Sequence, residues 1–320
     1  MKLFALMAVM LAFLTGQGNA GIPKATSSVD RLKVLMIGNS FSICVLEQMP
    51  QVAKAMGKEL DICSLYIGGC SLKQHWGNVS GKDNEAVPYR VTWNYGGVAS
   101  SESAPFSSSL KKVKQVKGYG WFANIPQMLK ADRWDIVTVQ QASHESWKRE
   151  SFSPAGDLLV EFVRKECPHA QVVVQETWSY TPWDVRLGKW GMSQAEMYEK
   201  LHCAYSDWAK SHSLRIIPMG TAVQLYRKAL PVVHGGDSLG GDPCGTGRFV
   251  REAGGTLKFK GDAFHLNRDG HYLQALVWTA ALFNADVAEC GYKPEYVTEE
   301  RAQKMKECAA KANSGCGLQM

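Results

Sequence analysis

The chain has 320 residues, of which 45% are hydrophobic and 21% charged, values that fit a globular protein and exclude a disordered or fibrous one. Its net charge of +6 comes from scattered basic residues, and no nucleic-acid-binding motif accompanies them. We therefore expect no nucleic-acid partner. No internal repeat or linker divides the chain, so we predict a single domain after the N-terminal segment.

The first 20 residues have the pattern of a secretory signal peptide. Lys2 precedes an apolar stretch that runs from Leu3 to Leu14, and small and polar residues follow as far as Ala20. The apolar stretch is shorter than the ~20 residues that a transmembrane helix needs. We therefore predict cleavage after Ala20, export of residues 21–320, and no stable membrane insertion of the mature chain.

The nine cysteines of the chain are an odd number, so at least one thiol has no intramolecular partner. Export permits disulfides, and a bond among Cys290, Cys308 and Cys316 would hold the C-terminal tail. The sequence does not give the connectivity. No two cysteines have the close spacing of zinc ligands, so we expect neither a metal site nor another cofactor.

Strand and helix patterns alternate along the mature chain. Five short apolar runs predict strands that are buried on both faces, namely Leu32–Ile37, Leu60–Ile67, Trp134–Val139, Gln171–Gln175 and Leu214–Met219. Helical patterns occupy residues 42–57, 121–131, 154–166, 193–212, 268–284 and 295–312. This alternation predicts an α/β fold, a three-layer α/β/α sandwich around a mostly parallel, five-stranded, flavodoxin-like sheet.

Two Gly-rich segments interrupt the alternation. We predict residues 77–120 and 232–261 to be irregular insertions, although Tyr89–Tyr95 alternates as a strand of a small hairpin would. Long irregular segments in a compact domain are often functional. The tail, about residues 286–320, is expected to add a helix on the outside.

The first predicted strand ends on Gly38-Asn39-Ser40, directly before a helical pattern. A serine at this turn lies at the C-terminal edge of a parallel sheet and near the positive end of a helix dipole. Both conditions suit a nucleophile whose attack creates negative charge. They equally suit a loop that only binds phosphate.

Asp262 and His265 lie three residues apart, just before the last long helical pattern. On one loop both can face the same site, where the carboxylate orients the imidazole and the imidazole acts as general base for a serine. The simpler alternative is that Asp262 caps the helix and His265 is satisfied by the backbone.

The blocks together resemble the SGNH (GDSL-type) hydrolases, and most closely a poorly characterised group of exported bacterial members. Each block follows a predicted strand or precedes the last helix, and they read Gly38-Asn39-Ser40-Phe41-Ser42, Gly68-Gly69-Cys70-Ser71-Leu72, Gln140-Gln141-Ala142-Ser143 and Asp262 with His265. The resemblance covers about residues 32–284. Two departures are Asn39, where the family usually has Asp, and the absence of the common Gly-x-Asn-Asp third block.

The resemblance implies a serine esterase with Ser40 as nucleophile, His265 as base and Asp262 as its partner. The oxyanion donors would be the N–H of Ser40, an N–H of Gly68 or Gly69, and a side-chain amide from Gln140 or Gln141, as in related carbohydrate acetylesterases. If strand alternation continues, the two glutamines face opposite ways.

Three further residues are candidates for substrate contact, namely His75, His144 and Trp178. Surface placement or core packing is the alternative for each of them. The leading hypothesis is removal of O-acetyl groups from a carbohydrate, with a small-molecule or glycan ester as substrate. A lipase or thioesterase of the same fold, and a non-catalytic carbohydrate-binding protein, are the alternatives.

Overall fold

The computed structural model describes residues 30–81, 86–100, 114–116, 120–229 and 242–315, so the predicted signal peptide and Cys316 lie outside the described residues. Its strands are β1 (Arg31–Gly38), β2 (Glu59–Tyr66), β3 (Tyr89–Tyr95), β4 (Val98–Ala99), β5 (Lys114–Val116), β6 (Gly120–Ala123), β7 (Ile136–Val139), β8 (Gln171–Gln175), β9 (Arg215–Ile217), β10 (Cys244–Arg251) and β11 (Leu257–Leu266). Its α-helices are α1 (Val45–Ala55), α2 (Leu72–Ser80), α3 (Ile125–Leu129), α4 (Ala155–Glu166), α5 (Val185–Trp190), α6 (Gln194–Ser211), α7 (Met219–Ala229), α8 (Arg268–Phe283) and α9 (Glu299–Asn313), and short 3-10 helices span Arg149–Ser151 and Val287–Glu289.

Five strands run parallel in the order β2-β1-β7-β8-β9, which is the predicted flavodoxin-like arrangement. The central strand β1 is buried on both faces, since Val34, Leu35 and Met36 have no exposed surface. The strand order reverses direction at β1, because β2 lies on one side of it and β7 on the other. Ligands of such folds bind beyond the carboxyl ends of the strands at this switch point.

The sheet is larger than predicted, because part of the segment 77–120 extends it. Beyond β2, strands β3, β6 and β5 follow as antiparallel neighbours, and β4 pairs with β3. The predicted helix 121–131 is therefore wrong at its start. Residues 121–123 belong to β6, and α3 begins only at Ile125, where the Asn124 side chain accepts a hydrogen bond from Gln127 and caps the helix.

The predicted irregular insertion 232–261 contains a regular element. Residues 232–241 lie outside the described residues, whereas β10 and β11 form a two-stranded antiparallel hairpin. Gly247 faces Gly261 across this hairpin, and a Cβ atom at either position would lie 2.4 Å from a backbone oxygen of the facing strand. The close approach of the two strands therefore requires glycine at both positions.

The helices form two packed groups. In one, α8 packs against α1, α7 and α9, and in the other, α2 packs against α3 and α4. Helix α9 is the tail helix that the sequence predicts, whereas the sequence patterns missed α2, α5 and α7. None of the described helices is both long and apolar enough to cross a membrane.

The eight cysteines within the described residues all carry free thiols, including Cys290 and Cys308 of the tail. Cys290 and Cys308 are therefore not bonded to each other, and Cys316, the third cysteine considered for a bond in the tail, lies outside the described residues. Cys308 lies on α9 and Cys290 directly after a 3-10 helix, and both are buried in apolar packing that holds the tail. Apolar packing of this kind also raises the pKa of the Cys308 thiol to about 11.

Candidate active site

The loop after β1 is a series of turns that presents Ser40 at the carboxyl edge of the sheet. The Asn39 carbonyl accepts hydrogen bonds from the backbone N–H groups of Ser42 and Ile43, and the Asn39 side chain accepts one from the N–H of Phe41. A Cβ on Gly38 would lie 2.1 Å from the Ser42 Oγ, so a larger residue there would force the Ser42 hydroxyl to move away from its present position. Helix α1 begins at Val45, three residues later than predicted.

Three of the predicted residues meet at this loop in one chain of hydrogen bonds. The Nε2 atom of His265 lies 2.8 Å from the Oγ of Ser40, and its Nδ1 atom lies 2.5 Å from the Oδ2 of Asp262. Because Ser40 follows the first strand and the other two lie on β11, the contact joins positions 225 residues apart. A serine hydroxyl, an imidazole and a carboxylate in this order have the geometry of an acyl-transfer triad.

The second oxygen of Asp262 fixes the position of this carboxylate. Its Oδ1 accepts hydrogen bonds of 2.9 Å from the backbone N–H groups of Phe264 and His265. Partial burial raises the pKa of Asp262, but the hydrogen bonds from the His265 ring and from the two N–H groups outweigh burial and lower this pKa to about 2. The carboxylate is therefore ionised at neutral pH and can accept the ring N–H.

A buried amide network lies beneath the serine loop. The Phe41 carbonyl accepts hydrogen bonds of 2.9 Å from the side-chain amides of Gln175, at the end of β8, and Gln274, on α8. The Oε1 of Gln175 in turn accepts from Gln274 and from the Trp278 ring N–H, and its Nε2 also donates to Gln140. The residue that follows the serine is thus held by two amides that the sequence analysis did not select.

The predicted third block contributes to this network. The Nε2 of Gln140 donates to the Asn39 Oδ1 at 2.5 Å, so one of its N–H groups supports the serine loop. Both N–H groups of the Gln141 side chain are already bonded, because its Nε2 donates to the carbonyl and to the Oγ of Ser151. Its Oε1 accepts from the backbone N–H of Leu72, at the start of α2. Of the two glutamines predicted as alternative oxyanion donors, Gln141 is therefore excluded, and Gln140 stays a prediction.

The second block forms a tight turn beside the serine loop. The Cys70 N–H donates to the Ile67 carbonyl, Gly69 has a φ of +62°, and both glycines are exposed. The Asn39 Nδ2 donates to the Cys70 carbonyl at 2.9 Å and ties the two loops together. Among the described residues, no acceptor is bonded to the backbone N–H groups of Ser40, Gly68 and Gly69, so all three are available to a substrate oxygen.

The candidates for substrate contact have different positions. His75 is fully buried, its Nδ1 lies 2.9 Å from the Tyr89 hydroxyl, and burial lowers its pKa to about 3. Trp178 is also fully buried, stacks on Phe41 with ring centroids 4.2 Å apart, and donates its ring N–H to the Phe264 carbonyl. Neither side chain can reach a substrate, so both expectations are wrong. His144 is exposed on the loop after β7 and stays a prediction.

Trp178 instead supports the segment that carries His265. Its hydrogen bond to Phe264, the residue before His265, is 2.8 Å long, and the rings of Phe264 and His265 lie 4.0 Å apart. The Arg186 guanidinium also lies 4.0 Å from the centre of the Phe264 ring and is held by Asp184. The sequence offers a weak signal for this support, the aromatic run after β8.

The chain has the SGNH hydrolase fold. It also has the features on which the resemblance to these hydrolases was based, a serine after the first strand of a flavodoxin-like sheet and Asp-x-x-His before the last long helix. The chain belongs to the family described as a domain of unknown function, DUF4886, whose model matches residues 33–234. The expected membership of a poorly characterised group is thus confirmed. The matched residues include Ser40 but end before Asp262 and His265.

Solved structures similar to the chain include a DUF4886 family protein from Bacteroides uniformis, with 25% identity, a TM-score of 0.71, and coverage of 91% of this chain and 98% of that one. A protein described as a candidate SGNH hydrolase from Slackia heliotrinireducens has 17% identity and a TM-score of 0.47, over 78% of this chain and 98% of that one. An acetyl xylan esterase has 12% identity and a TM-score of 0.45, over 78% of this chain and all of the other (100%). No curated protein matches the chain.

Proposed function

We propose that the protein is a serine esterase that removes O-acetyl groups from a carbohydrate. The observation that carries the proposal is the chain of hydrogen bonds from the Ser40 Oγ through His265 to Asp262. Phosphate binding alone gives no reason for an imidazole and a carboxylate aligned behind the serine hydroxyl. The resemblance of the sequence blocks to the SGNH hydrolases adds the reaction class, hydrolysis of an ester.

The mechanism follows from these contacts. As the Ser40 Oγ attacks the ester carbonyl carbon, the His265 Nε2 takes the hydroxyl proton, and Asp262 stabilises the imidazolium through Nδ1–H. The N–H groups of Ser40 and Gly68 or Gly69 donate to the oxyanion. The ester C–O bond then breaks, His265 returns the proton to the leaving alcohol, and water releases the acyl group from the serine by the same steps. The second N–H of Gln140 is a further candidate donor.

A short acyl group fits this site better than a lipid chain. Lipases surround the serine with apolar surface, whereas the large hydrophobic side chains exposed within the described residues are only Val98, Leu158 and Val185. The carbohydrate part of the proposal rests on the resemblance to carbohydrate acetylesterases. A polymeric glycan is met outside the cytoplasm, so export directed by residues 1–20 belongs to the same proposal.

The test is turnover of p-nitrophenyl acetate, followed by acetate release from acetylated polysaccharides, by the wild type and Ser40→Ala. We expect the variant to lose at least about 10³-fold in kcat, as nucleophile removal does in serine hydrolases. Ser42→Ala is a matched control, because it removes a hydroxyl whose one hydrogen bond within the described residues is to the Asn39 carbonyl. It should lose less than about tenfold. Equal turnover by the wild type and Ser40→Ala would refute the role of Ser40, and a wild type without turnover on any ester would favour a non-catalytic binding protein.

A further inference from the structure

The hairpin that carries Asp262 and His265 also carries a row of cationic side chains. In the register of β10 and β11, Thr246 is opposite Asp262, Arg248 is opposite Lys260, and Val250 is opposite Lys258. Opposite residues of an antiparallel pair, and residues two apart on one strand, project from the same face. Arg248, Lys258 and Lys260, here named the cationic row, therefore share the face of the triad carboxylate, with successive positions about 7 Å apart along each strand.

The other face of the hairpin fixes its position. Phe249 and Phe259 lie opposite each other and pack on Trp183, with ring centroids 5.3–5.7 Å apart. Trp183 lies just before α5, so this aromatic cluster attaches the hairpin to the body of the domain. Since these aromatic rings occupy one face, the cationic row is directed to solvent, and its three side chains are exposed.

The charges of the row are poorly compensated. Within the described residues the side chains of Arg248 and Lys260 make no ion pair, and Lys258 has only a 3.4 Å contact with Glu252, in which both side chains are about half exposed. Like charges directly opposite each other destabilise a pair of strands. Arg248 opposite Lys260 is such a pair, and an anion between them would remove the repulsion.

We propose that the cationic row binds a polysaccharide that carries carboxylates, an acetylated polyuronide, and leads its acetylated sugar to Ser40. This rests on the esterase function proposed above. A polymer with a carboxylate on each sugar offers anions along its length, as the row offers cations along the strands. The cationic row would also attract nucleic acid, which is a polyanion, but nucleic acid has no O-acetyl ester for Ser40 to attack.

The test compares the double variant Arg248→Thr/Lys260→Thr with the wild type on three esters. Threonine keeps the strand propensity and removes the charge. On acetylated polygalacturonate we expect KM to rise about tenfold, the effect of losing two exposed charge contacts. On acetylated xylan, which is neutral, and on p-nitrophenyl acetate the change should stay within about twofold. For the wild type alone, KM on the polyuronide should also rise steeply with salt.

Arg251→Thr is the matched control, because Arg251 lies on the same hairpin but is opposite Leu257, in the alternate register that also contains Phe249 and Phe259. It should leave the polyuronide KM unchanged. Equal effects of the control and the double variant, or no effect of either, would overturn the cationic row as a binding site.

A binding measurement separates this proposal from the esterase function. Ser40→Ala protein should bind unacetylated polygalacturonate in calorimetry, and the same protein with both threonine substitutions should bind at least about tenfold more weakly. This result stands even if the wild type hydrolyses no ester. Equal binding of a DNA oligonucleotide of the same charge would reject the polyuronide as the partner.

Discussion

The amide network beneath Ser40 predicts that two glutamines of equal burial contribute unequally to stability. Gln175 and Gln274 have no exposed surface, and both donate to the Phe41 carbonyl. The perturbation is a change of each to Leu, which keeps most of the volume and removes the hydrogen-bonding groups. The two variants differ in the partners that they leave behind.

Gln175→Leu leaves the Gln140 Oε1 without its donor and the Trp278 N–H without its acceptor. An unsatisfied buried polar group costs about 1–3 kcal/mol, so this variant should lose about 2–6 kcal/mol of unfolding free energy. Gln274→Leu leaves both oxygens that it contacts with a second donor, and only the weak thiol donor of Cys44 loses its acceptor. It should lose about 1 kcal/mol.

The assay is urea unfolding of both variants, with Gln303→Leu as a control on the exposed face of α9, where a change within about 0.5 kcal/mol is expected. Turnover of p-nitrophenyl acetate should fall in both network variants through kcat rather than KM, because the Phe41 carbonyl fixes the loop and touches no substrate. Equal losses of stability in the two variants would refute the idea that the unsatisfied polar groups left behind determine the cost of each substitution. Full kcat in both would refute the positioning of the loop by these amides.

Three further perturbations test the Asp262 carboxylate, the support of His265 and a buried ion pair. The pKa of Asp262 lies below the ordinary 3.8, so its ionised form contributes stability that is present above about pH 4 and is lost as the pH falls toward 2. The difference in Tm between the wild type and Asp262→Asn should therefore shrink on acidification. A difference in Tm that stays constant with pH would contradict this prediction. Trp178→Phe keeps the stacking on Phe41 and removes the hydrogen bond to Phe264. We expect kcat to fall, while chemical denaturation shows a loss of only about 1 kcal/mol in unfolding free energy. Unchanged kcat would exclude a positioning role. Arg227→Met leaves the buried Asp242 carboxylate unpaired and should cost about 3–5 kcal/mol in urea unfolding, whereas a neutral result would mean that the pair is solvated.

The sequence predicted the parts of the fold that depend on local patterns. The five parallel strands are continuous apolar runs, and each catalytic candidate stands directly beside such a run or the last long helix. Segments of mixed polarity were predicted poorly. The alternation of Arg248, Phe249 and Val250 is a weak strand signal in a Gly-rich segment, and its pairing with β11 brings together residues on either side of a turn that the sequence does not specify.

The errors at the site have one physical cause, which is that burial depends on tertiary packing. His75 follows the second block and Trp178 follows β8, but α2 and the packing of Phe41 turn them inward. Gln274 looks like a polar interruption of an apolar helix, and its partner Gln175 is 99 residues away. No local pattern connects them, so the support of the serine loop becomes visible only in three dimensions.

The hydrogen bonds of the serine loop also determine the shortest segment of the chain in which the site is complete. The residues that match the family model, 33–234, include Ser40 and Gln175 but end before the hairpin and α8. A protein cut to those limits would keep the central strands and lose His265, Asp262 and one of the two amides that hold the Phe41 carbonyl. Activity should therefore be gained during synthesis only after the hairpin and α8 have packed against the rest of the domain.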